Sequence, residues 1–315
     1  MADFYPGMNL DIRAAAGKYL TELGKKYPDV LLLSADLTGN AGAAEFAKTY
    51  PDRYFNMGIA EQNMASFAAG LTYEGFKPYL VTMSPFISMR ACEQVRSDVC
   101  YCALPVRFIG NNSGYSGGIS GATHCGLEDC AIMGAMGNMT ILEPCDAYEA
   151  ALAMEASYAV KGPVYIRITS FATPAVYTEP FVYEIGKAGV PIKGDDGAFI
   201  VSGAIVSYAV AAAKRLKEEL GASVRVVDMH TIKPLDEAAV LAAAKTGRVI
   251  AAQDHTKIGG LGWAVANTLA QGGVACKFKV LGAPDHYVPL ATTPYLHKIN
   301  GYDADGLFEA MKAML

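Results

Sequence analysis

Glu61 has the surroundings in this sequence that most suggest chemistry. It lies in Gly-Ile-Ala-Glu-Gln-Asn at positions 58–63, after a strand-like stretch at 54–57 and at the start of an apolar helical run to about residue 72. A carboxylate in the first turn of a helix is favoured by the positive end of the macrodipole, which is ordinary helix-start chemistry. The same position, at the carboxyl end of a parallel strand, is where open α/β sheets place their ligands. There a carboxyl group can serve as a general acid or base. His124 follows a glycine-rich stretch, Gly-Tyr-Ser-Gly-Gly-Ile-Ser-Gly at 114–121. That stretch runs into Ala122-Thr123-His124 and lacks the Lys-Ser/Thr pair of a phosphate-binding Walker loop, so it reads as a mobile or sharply turning loop over a site. Gly260-Leu-Gly262 ahead of a helix gives only half of a dinucleotide fingerprint. Cys100, Cys102, His124 and Cys125 match no structural zinc spacing, and no metal ligand set is expected.

These residues need elements to hold them, and the hydrophobic pattern supplies those. Short apolar runs at 30–35, 79–83, 106–110, 139–142 and 164–169 alternate with helical patterns at 41–49, 86–100 and 146–160. Continuous apolar strands separated by helices indicate a parallel sheet covered on both faces. Residues 172–197 break the rhythm with prolines and glycines and read as a linker. The alternation then resumes with strands at 199–206, 223–228 and 248–253 and helices at 208–220, 236–246, 261–269 and 305–315. The expected fold is therefore α/β, as two doubly wound domains at 1–185 and 186–315, the second smaller.

Composition agrees with a folded chain. Of 315 residues, 52% are hydrophobic and 18% charged, against ~25% charged in typical soluble domains; disorder needs the opposite balance. A surface poor in charge also hints at cover by a partner. The net charge of −5 has no basic stripe, so nucleic acid is not an expected ligand. The apolar uncharged run at 197–213 is shorter than the ~20 apolar residues of a spanning helix, so no membrane association is expected. The N-terminus carries no basic flank leading into an apolar core, and the expected location is cytoplasmic. The seven cysteines, six of them in the first half, read as reduced thiols rather than a disulfide framework.

Taken in order, the motifs resemble the second half of transketolases: a pyrimidine-binding domain followed by the transketolase C-terminal domain. The resemblance rests on Ser34-Ala-Asp-Leu-Thr38, Arg53-Tyr-Phe-Asn56, the Glu61 segment, Arg90-Ala-Cys-Glu-Gln-Val-Arg96, and Thr123-His124 leading to Leu127-Glu-Asp129. Gly162-Pro-Val-Tyr-Ile-Arg167, Thr231-Ile-Lys-Pro-Leu-Asp236, and Asp254-His255 followed by Gly259-Gly-Leu-Gly262 extend it over nearly the whole chain. Free-standing halves of this kind occur as one subunit of split transketolases.

The resemblance implies thiamine diphosphate as cofactor and transfer of a two-carbon ketol unit from a ketose to an aldose. Glu61 would bond the pyrimidine N1′ and relay a proton, so that the ring can deprotonate thiazolium C2; for this it should be buried and share its proton with the cofactor. Phe86 would pack against the pyrimidine, with Met83 and Met89 where relatives carry further aromatics, and Asp36 near the cofactor and subunit interface or capping the segment from Thr38. His124 would bind substrate hydroxyls and Arg13 substrate phosphate. The Gly-Asp-Gly segment and later asparagine that hold the diphosphate and Mg²⁺ in this family are missing; Gly194-Asp-Asp-Gly197 lies in the linker with no such asparagine after it. The implied partner is an N-terminal subunit carrying that segment, in a heterotetramer of two of each; self-pairing across the C-terminal domain is a further expectation.

The substrate positions depart from the family. Asn40 stands where serine is usual, Asn112 where histidine is, Phe171 where arginine is, and Ser120 replaces an aspartate that reads a hydroxyl. Losing a histidine and an arginine removes charge-assisted, bidentate phosphate contacts. The expected substrates are therefore non-standard: a sugar with another anionic group, a branched sugar phosphate, or an unphosphorylated sugar. Two decarboxylating enzymes share the fold, deoxyxylulose-phosphate synthase and the β-subunit of 2-oxoacid dehydrogenases. The latter commonly has His-Ser-Gln where this chain has His124-Cys125-Gly126. A non-catalytic interaction subunit is the remaining alternative, which the intact Glu61 argues against.

Overall fold

The computed structural model describes residues 4–8 and 10–315. Among the described residues, twelve strands form two sheets. The first sheet holds β1 (Val30–Ser34), β2 (Tyr54–Asn56), β3 (Lys77–Met83), β4 (Arg107–Asn111), β5 (Thr140–Leu142), β6 (Val164–Arg167) and β10 (Thr231–Lys233), in the order β10-β5-β6-β4-β3-β1-β2. The second holds β7 (Gly189–Ile192), β8 (Gly197–Val201), β9 (Val224–Asp228), β11 (Arg248–Thr256) and β12 (Lys277–Ala283), in the order β12-β11-β8-β9-β7. All pairings are parallel except β10 on β5 and β7 on β9. Among the described residues, no helix is long and apolar enough to cross a membrane.

The central strands are apolar on both faces because helices cover both: every residue of β1, β4, β6 and β8 is buried. Helix starts are set locally. Asp11 accepts from Ala14 N–H to open helix Ile12–Lys26, and Asp146 accepts from Glu149 N–H to open Ala147–Ala159, each satisfying a donor that a helix leaves free. One core cluster runs from Leu33, Met64 and Tyr165 under the first sheet to Ile200, Val227 and Leu261 under the second.

Several elements differ from the sequence pattern. The expected strand at 199–206 stops at Val201; Gly203 turns the chain at φ +56°, and Ile205 and Val206 begin helix Ile205–Leu220 instead. Residues 189–192 of the expected linker form edge strand β7, interrupted by Pro191. Strand β10, from the second half of the sequence, crosses over to extend the first sheet. Strand β12 and helices Ile12–Lys26 and Thr293–Ile299 lie where the pattern gave nothing. In Ile12–Lys26 the face toward the sheet is partly small residues, Ala15, Ala16 and Gly17; a Cβ on Gly17 would meet the Gly42 carbonyl oxygen at 2.0 Å. Close approach there needs glycine, which weakens the apolar stripe that marks a helix.

Candidate active site

The chain leaves β1 for β2 on one side and returns to β3 on the other, so the strand order reverses between β1 and β3. Open α/β sheets bind ligands at such a reversal, beyond the carboxyl ends of the strands. A cavity of about 370 Å³ lies there. It is lined by Leu37 and Ala41 after β1, Thr82 and Met83 at the end of β3, Asn111 and Asn112 at the end of β4, and the turn carrying Ser116, Gly117 and Ser120. Arg13 and Asn40 complete one wall. Thus Arg13, Asn40, Met83, Asn112 and Ser120, far apart in sequence, come together. Arg13 Nη1 donates to the Asn40 carbonyl oxygen at 3.0 Å; Asn112 Nδ2 lies 3.5 Å from Met83 Sδ. Arg13 is the charged residue among the described lining residues, and the others are neutral. Phe171 does not join them; its ring packs edge-on to His297 at 5.8 Å. The glycine-rich stretch winds as a 3₁₀ helix, Tyr115–Ser120, and Ser116, Gly117, Ile119 and Ser120 line the cavity.

Glu61 opens helix Glu61–Tyr73 and is buried to 1% exposure. Gly58 makes the turn from β2 at φ +68°. The Asn56 side chain accepts from Gly58 N–H and Asp36 N–H, each at 3.1 Å, while its Nδ2 donates to Asp36 Oδ1 at 3.2 Å. Asn56 therefore ties the loop after β1 to the turn that leads into Glu61. Asp36 is exposed at φ +59°; the N–H of Leu37 is taken by Ser34 Oγ rather than by Asp36.

The carboxylate of Glu61 turns inward to Arg90, whose Nη1 donates to its two oxygens at 2.8 and 2.7 Å. Arg90 lies over the Phe86 ring, with Cζ 4.4 Å from the centroid. On that ring's other contact, His124 sits edge-on at 5.6 Å, and its Nδ1 is 2.8 Å from Thr123 Oγ1. Glu61, Phe86 and His124 thus form one cluster joined through Arg90. Met89 is 46% exposed and neither joins the cluster's contacts nor lines the cavity. Ile59, Phe67 and Phe55 are also exposed beside the Glu61 helix, the two phenylalanines in edge contact at 6.1 Å.

A buried polar joint underlies the site. Arg167 pairs with Asp129 at 2.9 Å and with Glu143, and donates to the carbonyls of Gly126 and Asp254. Glu143 also accepts from Ser202 and Gln253 of the second domain, at 2.7 and 2.6 Å. Burial works to raise the Asp254 pKa, but His297 and Arg167 together hold it below the usual carboxylate range. The full burial of Arg167 is paired throughout, as a buried charge requires. Arg90, Arg167 and Asn56 fall inside sequence motifs that by themselves give them no role; a charge-bearing residue in an otherwise buried strand, as at Arg167, is the signal that marks such a position.

The first domain thus carries a buried carboxylate at a helix start, joined through Arg90 to an aromatic ring, and a cavity at the sheet reversal with Arg13 as its charged lining residue, and similarity to known proteins gives them a family. Residues 8–174 match the transketolase pyrimidine-binding domain, and residues 186–307 match the transketolase C-terminal domain. The chain belongs to the transketolase family. It is 34% identical to one subunit of an apulose-4-phosphate transketolase of Phocaeicola vulgatus, over 91% of this chain and 92% of that one. It is equally 34% identical to a 6-deoxy-6-sulfo-D-fructose transketolase subunit of Clostridium sp., over 92% and 90%. A 1-deoxy-D-xylulose-5-phosphate synthase of Geobacter sulfurreducens is 35% identical over 95% of this chain, which spans 47% of that enzyme. Among solved structures, one described as a split gene transketolase, inactive beta4 tetramer, superposes with a TM-score of 0.87 at 34% identity, covering 98% of this chain and 99% of that one. Like the transketolase subunits, this chain holds the pyrimidine-binding and C-terminal domains.

Proposed function

We propose that this chain is the pyrimidine-binding subunit of a two-subunit, thiamine-diphosphate-dependent transketolase. The observation that carries the reading is the buried Glu61 carboxylate, joined through Arg90 to the Phe86 ring, in the same domain as the cavity at the β1/β3 reversal. The residues fit the pyrimidine end of the cofactor. A flat, N–H-donating group, the Arg90 guanidinium, already satisfies the carboxylate and lies over the ring, and an aminopyrimidine would need those same two surfaces. When bound, the cofactor supplies the electron sink for carbon–carbon cleavage. Glu61 would hold a proton at N1′, Phe86 would pack on the ring, and Met83 would give an apolar wall. Asp36 and Met89 lie toward the exposed edge, where the companion's surface would meet the cofactor. The exposed Ile59, Phe67 and Phe55 suit cover by a companion subunit, which would bring the diphosphate and Mg²⁺ ligands; two of each chain would close the assembly.

The cavity supports an unusual substrate. Arg13 would take one anionic end, and Asn40, Asn112, Ser120 and His124 would bond hydroxyls. Ordinary phosphate binding would want further cations, and Asn112 and Phe171 do not provide them. The two subunit relatives, named for apulose 4-phosphate and 6-deoxy-6-sulfo-D-fructose, point the same way. The test is a substrate screen of the reconstituted pair: non-standard sugars should be turned over well, and xylulose 5-phosphate with ribose 5-phosphate poorly. Ordinary efficiency with that pentose pair would overturn the substrate reading. The likeness to deoxyxylulose-phosphate synthases favours one second reading, decarboxylation of pyruvate, which would show as pyruvate-dependent CO₂ release.

A further inference from the structure

Arg90 occupies both surfaces that the proposed reading assigns to the cofactor's ring. One of its nitrogens bonds both oxygens of Glu61, and its guanidinium carbon lies over the Phe86 ring, 4.4 Å from the centroid. A guanidinium is planar, delocalised and stacks on aromatic faces, so it imitates a donor-bearing aromatic heterocycle. Glu61 at 1% exposure is costly to leave charged without a partner, and the structure records no other cation on it among the described residues. Arg90 itself is not sealed in; its side chain is 44% exposed. The segment carrying it, Phe86–Arg90, is wound wider than an α-helix, with Ala91 N–H bonded to the Phe86 carbonyl. Wide turns of this kind collect at functional sites, and Arg90 stands at the end of this one with its side chain part-exposed.

We infer that Arg90 is a positioning residue that fills the ring's place in the chain, so that cofactor binding is coupled to its displacement from Glu61 and Phe86. The inference rests on the reading that these two residues hold the pyrimidine. Because only the fraction of chains with Arg90 displaced is competent, the apparent dissociation constant is raised by that fraction. The experiment is calorimetric titration of thiamine diphosphate with Mg²⁺ into the complex of this chain with its companion subunit. Arg90→Met keeps the stem over Phe86 and removes the competing plane; Arg90→Lys keeps the charge and removes the plane. The expected result is a Kd about tenfold lower for Arg90→Met, equal to about 1.4 kcal/mol, with Arg90→Lys between it and the unaltered complex. Unchanged or weaker binding in Arg90→Met, in a variant whose cooperative thermal unfolding shows it folded, would overturn the inference and assign Arg90 to holding Glu61 for the cofactor. Failure of the unaltered and Arg90→Met complexes alike to bind any cofactor would overturn the proposed function itself.

Discussion

At the scale of single residues, Glu61 and Arg13 divide the proposed work. Glu61 is buried and charge-paired, so Glu61→Gln keeps its size and its hydrogen bond to Arg90 while losing the ability to relay a proton. The expected outcome is a loss of turnover in the reconstituted complex of about 100-fold or more, with assembly unchanged by size-exclusion chromatography; turnover within a few fold of normal would remove Glu61 from catalysis. Arg13→Ala should act on binding instead. The KM for an anionic sugar should rise by about tenfold or more, as loss of a charge-assisted contact implies, while a neutral sugar analogue is unaffected. A fall in kcat alone would contradict the assignment. The place of Glu61 in the first turn of a helix, and its burial, were legible in the sequence because the strand-like stretch before it and the apolar run after it agreed. Arg90 was not, because an arginine in a helical run has the look of a solvated face, and only the fold brings it onto Glu61.

At the scale of elements, the two sheets meet through buried polar groups as well as through the apolar core. Arg167→Met would leave Asp129 and Glu143 unpaired inside the joint. Removing one partner of a buried pair costs about 3–5 kcal/mol, so the urea midpoint should fall accordingly; an unchanged midpoint would show the network to be dispensable. A second joint has a pH signature. Asp228, pushed up to about 7 by burial, faces Glu149, which burial and Asp228 raise, with Asp146, Cys145 and Tyr177 around them. Between pH 3.8 and about 7 the folded chain keeps a proton on Asp228 that the unfolded chain has lost, so this contribution falls as pH rises. His230 and His255, lowered to about 4 by burial, act in the opposite sense: their contribution is present above pH 6.5 and lost as pH falls toward 4. Asp228→Asn removes the first slope only. Thermal unfolding from pH 4 to 8 should therefore show the variant gaining on the parent chain as pH rises, and a constant difference would contradict the raised pKa of Asp228. The strands of these elements were legible where both faces are buried, as in β1 and β8. Strands β7 and β12 were not, because an edge strand alternates with lysines or carries a proline, as Lys277, Lys279 and Pro191 show.

At the scale of the whole molecule, the low charge and the exposed Phe55, Ile59 and Phe67 beside the Glu61 helix suit the cover by a companion subunit that the proposed function calls for. The two-domain plan could be read from the alternation of strands and helices; the crossover of β10 into the first sheet could not, because three residues carry no periodicity. The chain holds the pyrimidine-binding and C-terminal domains of the transketolase family. The proposed catalyst is completed by a subunit carrying the Gly-Asp-Gly segment and its asparagine.

The most direct test of that claim needs no knowledge of the sugar. It is the rate at which the thiazolium C2 proton of thiamine diphosphate exchanges with deuterium, followed by NMR after acid quench. The rate should be far above that of the free cofactor when this chain and its companion are present together. It should stay at the free-cofactor value with either chain alone and with the Glu61→Gln complex. Equal exchange in the Glu61 and Glu61→Gln complexes, or full acceleration by this chain without its companion, would contradict the account.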